Sequence, residues 1–324
     1  MFARKRTVRL GTHTELTTPI LLPSFSSKGF PKVQKIIKAS EEYISDEILV
    51  SAYDISYGVI SPEFEFASAI FLDSGGYEAS KDADLSEIYD GEHVAKEWSP
   101  EKYAQVVEGW TSNSPTVFVS FDHPKHRTNT QAQIERAQQL ILPPGEHARS
   151  ILLKPESEGS IRLHLDHIAP HITRLKDFAV VGVTEKEIGN SILTRMVNVA
   201  RLRKLLDRQY ANMPIHVFGS LDTISTYLFF LAGADIFDGL TWLRYAFSNG
   251  DTIYRHSYGA LNLPISINSD IVEGRCWSNN YQYMRQMQLN MLKHVSDGDF
   301  GHFGKHHELI KSAYQEMCAM LLGD

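Results

Sequence analysis

Short apolar segments recur along the chain, and each is bounded by turn-forming or polar residues. Within each segment the side chains are almost continuously apolar and do not alternate with polar ones, which is typical of parallel strands buried on both faces. We predict eight such strands, at 19–25, 47–53, 69–75, 116–122, 150–155, 178–183, 215–220 and 234–240.

Helical patterns lie between several of these strands. A Ser-Pro pair, which favours a helix start, opens the segment 100–111. The segment 190–210 has apolar residues at helical spacing, and 221–234 is also predicted as a helix. Eight buried strands with intervening helices predict a (β/α)₈ TIM barrel, with a doubly wound open sheet as the alternative. No Gly-x-Gly-x-x-Gly follows the first strand, which disfavours dinucleotide binding.

The length and composition fit one large domain. The chain has 324 residues, of which 43% are hydrophobic. We expect a single domain over 1–324, with a barrel core at about 17–260 and a helical C-terminal segment at about 270–324. Two cysteines, Cys276 and Cys318, cannot form a disulfide framework. Without a secretory signal or an apolar run of membrane-spanning length, the sequence predicts a cytoplasmic protein with no membrane partner.

The charge distribution bears on possible partners. A formal net charge of −7 argues weakly against nucleic-acid binding. The segment 123–138 nevertheless carries a local group of basic residues. We predict that this segment is a solvated loop and helix, and it is also a candidate basic face.

Polar residues and glycine end the predicted strands, where the chemistry of a barrel enzyme is located. The strand-end residues are Ser24, Ser51, Asp73, Asp122, Lys154, Gly182, Ser220 and Asp238. An unpaired carboxylate at the edge of a core is costly. One such acid could be a helix cap or part of a loop salt bridge, whereas three aspartates on one rim favour a shared site. Two glycines follow Asp73, and their permissive backbone could let a flat group lie against it.

Missing motifs and the strand-end carboxylates limit the classes of reaction that the protein could catalyse. No His-x-His, HExxH or Gly-x-Ser-x-Gly pattern is present, so a metal centre is not required and serine hydrolysis is disfavoured. Converging carboxylates suit chemistry at an anomeric carbon, where one acid attacks or stabilises the sugar and another protonates the leaving group. Barrel glycosidases commonly have a strand-end Glu and a groove rich in tryptophan. They remain an alternative, although the acids here are Asp and the chain has four Trp.

An ordered set of motifs resembles the superfamily of tRNA-guanine transglycosylases, the queuine and archaeosine tRNA-ribosyltransferases. The segment "LDSGGY" at 72–77 is similar to the active-site signature of that superfamily. Further similar segments on successive predicted strands lie at 17–27, 98–124, 178–187, 216–224 and 233–250. The resemblance implies the TIM-barrel fold and the exchange of a guanine in nucleic acid for a 7-deazaguanine, through a covalent glycosyl-enzyme intermediate.

The resemblance also implies roles for individual residues. Asp238 matches the nucleophile that attacks the sugar C1′, Asp73 matches the acid/base, and Asp122 matches the acid that holds the guanine edge. The resemblance further implies substrate contacts at Ser74, Gly75, Tyr77, Lys154, Gly182, Gly219 and Arg244. Among these, Tyr77 would stack on the base or pack as a rim aromatic. Arg244 would bind a phosphate, orient the nucleophile or simply be exposed.

The sequence departs from the superfamily pattern in three places. Members usually carry a structural zinc on a Cys-x-Cys-x-x-Cys group and a later His, whereas the matching region here offers Cys276, followed by His294, His302, His306 and His307. We therefore predict no metal site and no cofactor. Lys154 or Glu156 stands near the place of a base-reading glutamine, and Gly239 replaces the cysteine that follows the nucleophile.

These departures leave the substrate open between tRNA and DNA, since DNA-modifying relatives insert 7-deazaguanines into DNA. The partners implied are a nucleic acid and a 7-deazaguanine base, with a possible homodimer or heteromeric partner. One alternative is a non-catalytic accessory subunit that binds nucleic acid or a catalytic homologue. Another is a glycosidase or nucleosidase that acts on small molecules. Retention of all three aspartates favours the enzyme.

Overall fold

The computed structural model describes residues 2–80 and 93–323, and at its centre is a closed barrel of eight parallel strands. In chain order the strands are β1 (Thr7–Leu10), β2 (Thr14–Thr17), β3 (Ile20–Phe25), β4 (Ile48–Ser51), β5 (Ile70–Asp73), β6 (Thr116–Val119), β7 (His147–Leu153), β8 (Val180–Thr184), β9 (Ile215–Phe218), β10 (Ile236–Gly239), β11 (Ala246–Ser248) and β12 (Asp251–Ile253). Strands β3 to β10 form the barrel, and two short antiparallel hairpins contain the other four. The sequence prediction of eight barrel strands is confirmed.

Helices follow the barrel strands. In the described segments the α-helices are α1 (Val33–Ser40), α2 (Ala52–Ser56), α3 (Gly76–Ala79), α4 (Pro100–Glu108), α5 (Thr130–Gln139), α6 (Leu165–Ile168), α7 (Ile192–Asp207), α8 (Ser225–Leu231), α9 (Thr241–Arg244), α10 (Arg255–Asn262), α11 (Ser269–Asp297) and α12 (His307–Leu322). Because β10 pairs in parallel with β3, the sheet is closed. The fold is a (β/α)₈ TIM barrel, and the open-sheet alternative is excluded.

Both faces of the barrel strands are buried in apolar surroundings. Leu22 and Phe71 belong to the core inside the barrel, whereas their chain neighbours Leu21 and Leu72 belong to the core between barrel and helices. Successive side chains of a strand point to opposite faces, so a strand buried on both sides has apolar residues at every position. This is the physical reason for the uninterrupted apolar segments in the sequence.

The first hairpin packs against the N-terminal end of the barrel. Val8 and Leu10 of β1 join the core inside the barrel. Arg6, which precedes β1, is buried and places its Nη1 2.7 Å from Oδ1 of Asp235. The other oxygen of Asp235 accepts a hydrogen bond of 2.8 Å from the amide of Ile215. Asp235 is therefore held by structural contacts at the end of the barrel opposite to the rim formed by the C-terminal strand ends.

The predicted helices are observed with small differences in their ends. The helix predicted over 221–234 begins at Ser225. The carboxylate of Asp222 accepts hydrogen bonds from the backbone amides of Ile224 and Ser225. These amides stand at the start of the helix, where no earlier turn can accept from them. Ser99 caps α4 in the predicted way, since its side chain accepts from the amide of Lys102.

The C-terminal region is helical, as predicted. Helix α12 packs against α7 and α8, and α11 packs against β11 and α10, so both helices lie against the outer layer of the barrel. Asn280 of α11 ties this region together, because its amide oxygen accepts a 2.7 Å hydrogen bond from the backbone of Phe247. In the part of the chain that the structure describes, no helix has the length and apolar character needed to cross a membrane.

Candidate active site

Asp73 is the last residue of β5 and Asp238 is the last but one of β10, so both stand at the same rim of the barrel. Each is the one acidic residue of its otherwise apolar strand. Parallel strands of a closed barrel have their C-terminal ends on the same side. In the closed sheet the two strands are separated by β3 and β4, and the charge of Asp238 is one of the causes that raise the pKa of Asp73. The structure therefore places at one end of the barrel the two residues that the sequence analysis assigned to the chemistry.

Three donors hold the Asp238 carboxylate in place. Oδ1 accepts from the backbone amide of Gly219 and lies near His216 Nε2, each at 3.0 Å. Oδ2 accepts from the Ser24 hydroxyl at 3.0 Å. Because these donors come from β9, from the turn after it and from β3, they fix the carboxylate from both neighbouring strands and stabilise its negative charge. The backbone amide of Gly219 thus helps to hold the Asp238 carboxylate, in addition to any contact of Gly219 with substrate.

His216 is a site residue that the sequence analysis missed. It is fully buried in β9, and its ring stacks on Phe218 with 3.7 Å between ring centroids. Among the described residues its Nδ1 has no hydrogen-bond partner. Asp238 is therefore the polar group that orients this imidazole. A histidine within an otherwise apolar strand was the available signal, and it was indistinguishable from a core residue before the partner strand was known.

Asp73 differs from Asp238 in its surroundings. Its side chain is half-buried, and its Oδ2 accepts one hydrogen bond of 3.2 Å from the amide of Gly75. Burial raises the pKa of Asp73 to about 7, and the nearby carboxylates of Glu78 and Asp238 raise it further than the single amide lowers it. A carboxyl group with a pKa near neutrality can both give and accept a proton, as a general acid/base must.

The two glycines after Asp73 allow the loop to pack closely against its neighbours. Gly75 has φ +86°, and a Cβ there would lie 2.5 Å from the Cβ of Tyr53. A Cβ on Gly76 would lie 2.5 Å from the carbonyl oxygen of Asp122. Ser74, between Asp73 and these glycines, accepts through its hydroxyl from the amide of Asp122 at 3.0 Å. The loop after β5 is therefore fixed to the loop after β6.

Asp122 lies in a cluster of four charged residues. Its Oδ1 is 2.5 Å from Arg127 Nη1, and its Oδ2 is 3.2 Å from Lys154 Nζ. Glu187 completes the cluster, with Oε2 2.7 Å from Lys154 Nζ and Oε1 3.3 Å from Arg127 Nη2. Arg127 and Glu187 were missed in the sequence because they are 60 residues apart. Asp122 and Lys154, which were predicted, are brought together directly.

The cluster borders a cleft at the ends of β6 and β7. Phe121 and His126 line this cleft together with Asp122, Arg127 and Lys154. His126 and Arg127 belong to the predicted loop and helix over 123–138, which the structure forms as a short 3₁₀ turn and α5. A cleft with carboxylate acceptors and cationic donors side by side suits a flat ligand with mixed polar edges.

Gly182 lies inside the barrel, where it faces Phe218. A Cβ at Gly182 would lie 2.6 Å from the Phe218 ring, so the glycine makes room for this aromatic side chain. Phe218 in turn carries the stacked His216. Gly182 therefore has a packing role in supporting the residues behind Asp238.

Tyr77 and Arg244 meet at the outer part of the rim. Arg244 Nη2 donates a 2.9 Å hydrogen bond to the Tyr77 hydroxyl. Tyr77 is 39% exposed, and Lys28 Nζ lies 4.5 Å from the centroid of its ring. These residues follow β5 and β10, the strands that carry the two central aspartates. Tyr77 thus combines an accessible aromatic ring with a cationic neighbourhood.

Two further acidic residues, Glu78 and Asp54, are buried near Asp73 and were also missed. Burial raises the pKa of Glu78 to about 7 and that of Asp54 to about 6. Hydroxyl groups satisfy them, since Ser51 donates to Glu78 at 2.8 Å and Ser27 donates to Asp54. Both residues lie in short helices, Asp54 in α2 and Glu78 in α3, so neither carries the strand-end pattern that marks Asp73 in the sequence.

Within residues 2–80 and 93–323, no group of three His, Cys, Asp or Glu side chains is arranged to hold a metal ion. Cys276 is buried with Ala246 and Tyr258, and burial raises the pKa of its thiol to about 11. A thiol that is protonated at neutral pH is a poor metal ligand. The later His302 and His306 contact Asp297 and Asp251, respectively.

Comparison with known proteins finds no protein-family model that matches the chain and no significant match among curated proteins.

Proposed function

We propose that the protein is a transglycosylase that exchanges a guanine base in nucleic acid for a 7-deazaguanine, with Asp238 as nucleophile and Asp73 as acid/base. The observation that carries the proposal is the unequal pair of carboxyl groups on one barrel rim. Asp238 receives three donors, whereas Asp73 receives one and has its pKa raised to about 7. Two acids whose environments differ in this way support the separate roles of nucleophile and proton donor.

The proposed reaction has two balanced steps. In the first, an oxygen of Asp238 forms a bond to C1′ of the ribose or deoxyribose as the C1′–N9 bond breaks. The electron pair of that bond goes to the guanine, and Asp73 protonates a ring nitrogen of the leaving base. In the second, Asp73 takes the N9 proton of the incoming base, N9 bonds to C1′, and the Asp238 carboxylate is released.

The charge cluster is the proposed binding place for the base edge. Each Asp122 oxygen already contacts one cation, yet a carboxylate has about four acceptor positions, so it can also accept from the N–H groups of a guanine-type base. Lys154 could donate to the carbonyl oxygen of the base. The exposed ring of Tyr77, beside Arg244, is suited to stack on an extruded base or to meet the adjoining phosphate.

The test is incorporation of labelled guanine into bulk tRNA and, separately, into duplex DNA. The proposal expects label to enter one of these polymers, and the preferred polymer identifies the substrate class. Normal folding with no incorporation into either polymer would contradict it. Binding of nucleic acid without exchange would then favour the accessory-subunit alternative, and hydrolysis of free nucleosides would favour the small-molecule alternative.

A second prediction concerns Asp122. We expect Asp122→Ala to weaken binding of the free base by about 10- to 100-fold, since hydrogen bonds to a charged group contribute about 1.5–3 kcal/mol each. Arg127 and Lys154 retain Glu187 as an anionic partner, so the variant should remain folded. Calorimetric titration with the base measures the effect, and the exposed neighbour Lys125, changed to Ala, is the control. Base affinity equal to that of the unmodified protein would exclude Asp122 from base recognition.

A further inference from the structure

Glu78 lies in α3, five residues after Asp73, and has no part in the proposed reaction. The residue is 2% exposed, and its carboxyl group is held at the ends of β3 and β4. Ser51 Oγ donates to Oε2 at 2.8 Å, and Oγ of Ser26, which directly follows β3, donates to Oε1. Ser51 ends β4 and is the direct register partner of Asp73 on β5. The Glu78 carboxyl group is thereby fixed to the strand that neighbours the acid/base.

Charged and titratable groups surround Glu78 on several elements. Asp54 on α2 and Asp73 on β5 are acidic neighbours, and Tyr53 lies near enough for its pKa to be raised in part by Glu78. Lys28 donates to the backbone carbonyls of Tyr77 and Ser80, and the His93 ring contacts the Glu78 carbonyl oxygen. Among the described residues, the carboxyl groups of Glu78, Asp54 and Asp73 form no ion pair.

Such an arrangement limits how many of the three groups can be ionised together. Water is excluded from Glu78 and Asp54, so each negative charge strongly disfavours the next. Glu78 raises the pKa of Asp73, and Asp54 raises the pKa of Glu78, in each case after burial as the first cause. The three carboxyl groups therefore titrate as a coupled set, and ionisation of one of them makes ionisation of its neighbour less favourable.

We propose that Glu78 is a positioning residue whose charge controls whether Asp73 carries the proton needed to release the base. The inference rests on the proposed base exchange. An ionised Glu78 keeps Asp73 protonated and ready to act as an acid, whereas a neutral side chain in its place lets Asp73 ionise at lower pH. Asp54 acts one step further away, by opposing the ionisation of Glu78.

The test compares Glu78→Gln with the unmodified protein in the pH profile of glycosyl-enzyme formation. Gln has nearly the shape of Glu and can still accept from Ser51, so the fold should be kept. We expect the midpoint of the high-pH decline to move down by about one pH unit. A midpoint that stays in place, or moves up, would overturn the proposal.

Asp54→Asn is the matched variant because it also removes one buried negative charge nearby. It should move the same midpoint up, since Glu78 then ionises more readily and holds the proton on Asp73 more strongly. A general disturbance of packing would move both midpoints in one direction. Shifts in the same direction for the two variants would therefore contradict the proposed order of the groups.

A direct titration separates this inference from the reaction itself. The carboxyl stretch of Asp73, obtained by infrared difference between the unmodified protein and Asp73→Asn, reports the proton without requiring activity. Glu78→Gln should shift this titration down even if no polymer is modified, in which case the proposed exchange fails and the coupling stands. An unshifted Asp73 titration, with or without exchange activity, refutes the coupling.

Discussion

Asp238→Asn lowers base exchange by at least about 10⁴-fold and abolishes the covalent adduct, because an amide is a very poor nucleophile towards C1′. The substitution is nearly isosteric. The amide oxygen can still accept from Gly219, and the amide nitrogen can donate to the Ser24 hydroxyl. Loss of activity should therefore come without loss of the fold, as thermal unfolding would verify.

Mass spectrometry of the protein, denatured after the first step and before an incoming base is supplied, measures the adduct. The unmodified protein gains the mass of the glycosyl fragment, and Asp238→Asn does not. The exposed Asp166 of α6, changed to Asn, is the control for the Asp-to-Asn change itself and should form the adduct normally. An adduct on Asp238→Asn would mean that another residue attacks the sugar.

Asp73→Asn is expected to slow glycosyl-enzyme formation by about 10²- to 10⁴-fold, the usual contribution of a general acid. In the unmodified protein the acid form of Asp73 is required. Because its pKa is raised to about 7, adduct formation should be constant at lower pH and fall about tenfold per pH unit above 7. The variant should lack this decline, since it has no proton at that position to lose.

The leaving base offers a specific control for Asp73. Methylation of the target guanine at N7 makes the base cationic, so it can depart without being protonated. Rapid-quench measurements with this substrate should restore most of the lost rate in Asp73→Asn. If Asp73→Asn still forms the adduct slowly with the N7-methylated substrate, Asp73 supports the site in another way. If Asp73→Asn releases unmethylated guanine at the normal rate, Asp73 has no part in the mechanism.

The sequence predicted the barrel strands because a strand that is buried on both faces has apolar residues at successive positions of the chain. The segments around Leu72 and Phe237 were recognised from their own apolar residues, without knowledge of any partner. The hairpin β1–β2 was missed, since it buries one face and its strands have four residues each. Strand-end acids were also visible, because Asp73, Asp122 and Asp238 each interrupt an apolar segment abruptly.

The supporting residues could not be found in the same way. His216 follows an apolar residue within a strand, and its relation to Asp238 depends on β9 lying beside β10. The proposed influence of Glu78 on Asp73 depends on the glycine turn, which folds the Glu78 carboxyl group back towards β4. Neither residue has a sequence pattern that would distinguish it from an ordinary core or loop residue.

By itself, the sequence determined the strand pattern and the strand ends at which the acids stand, since these follow from the period of burial. Closure of the sheet into a barrel was decided by the parallel pairing of β10 with β3. The tertiary structure decided what each acid experiences: three donors at Asp238, two cations at Asp122, and buried like charges beside Asp73. Hydrogen bonds and Coulomb interactions depend on distances between atoms that are far apart in the chain, and those distances exist only after the barrel has closed.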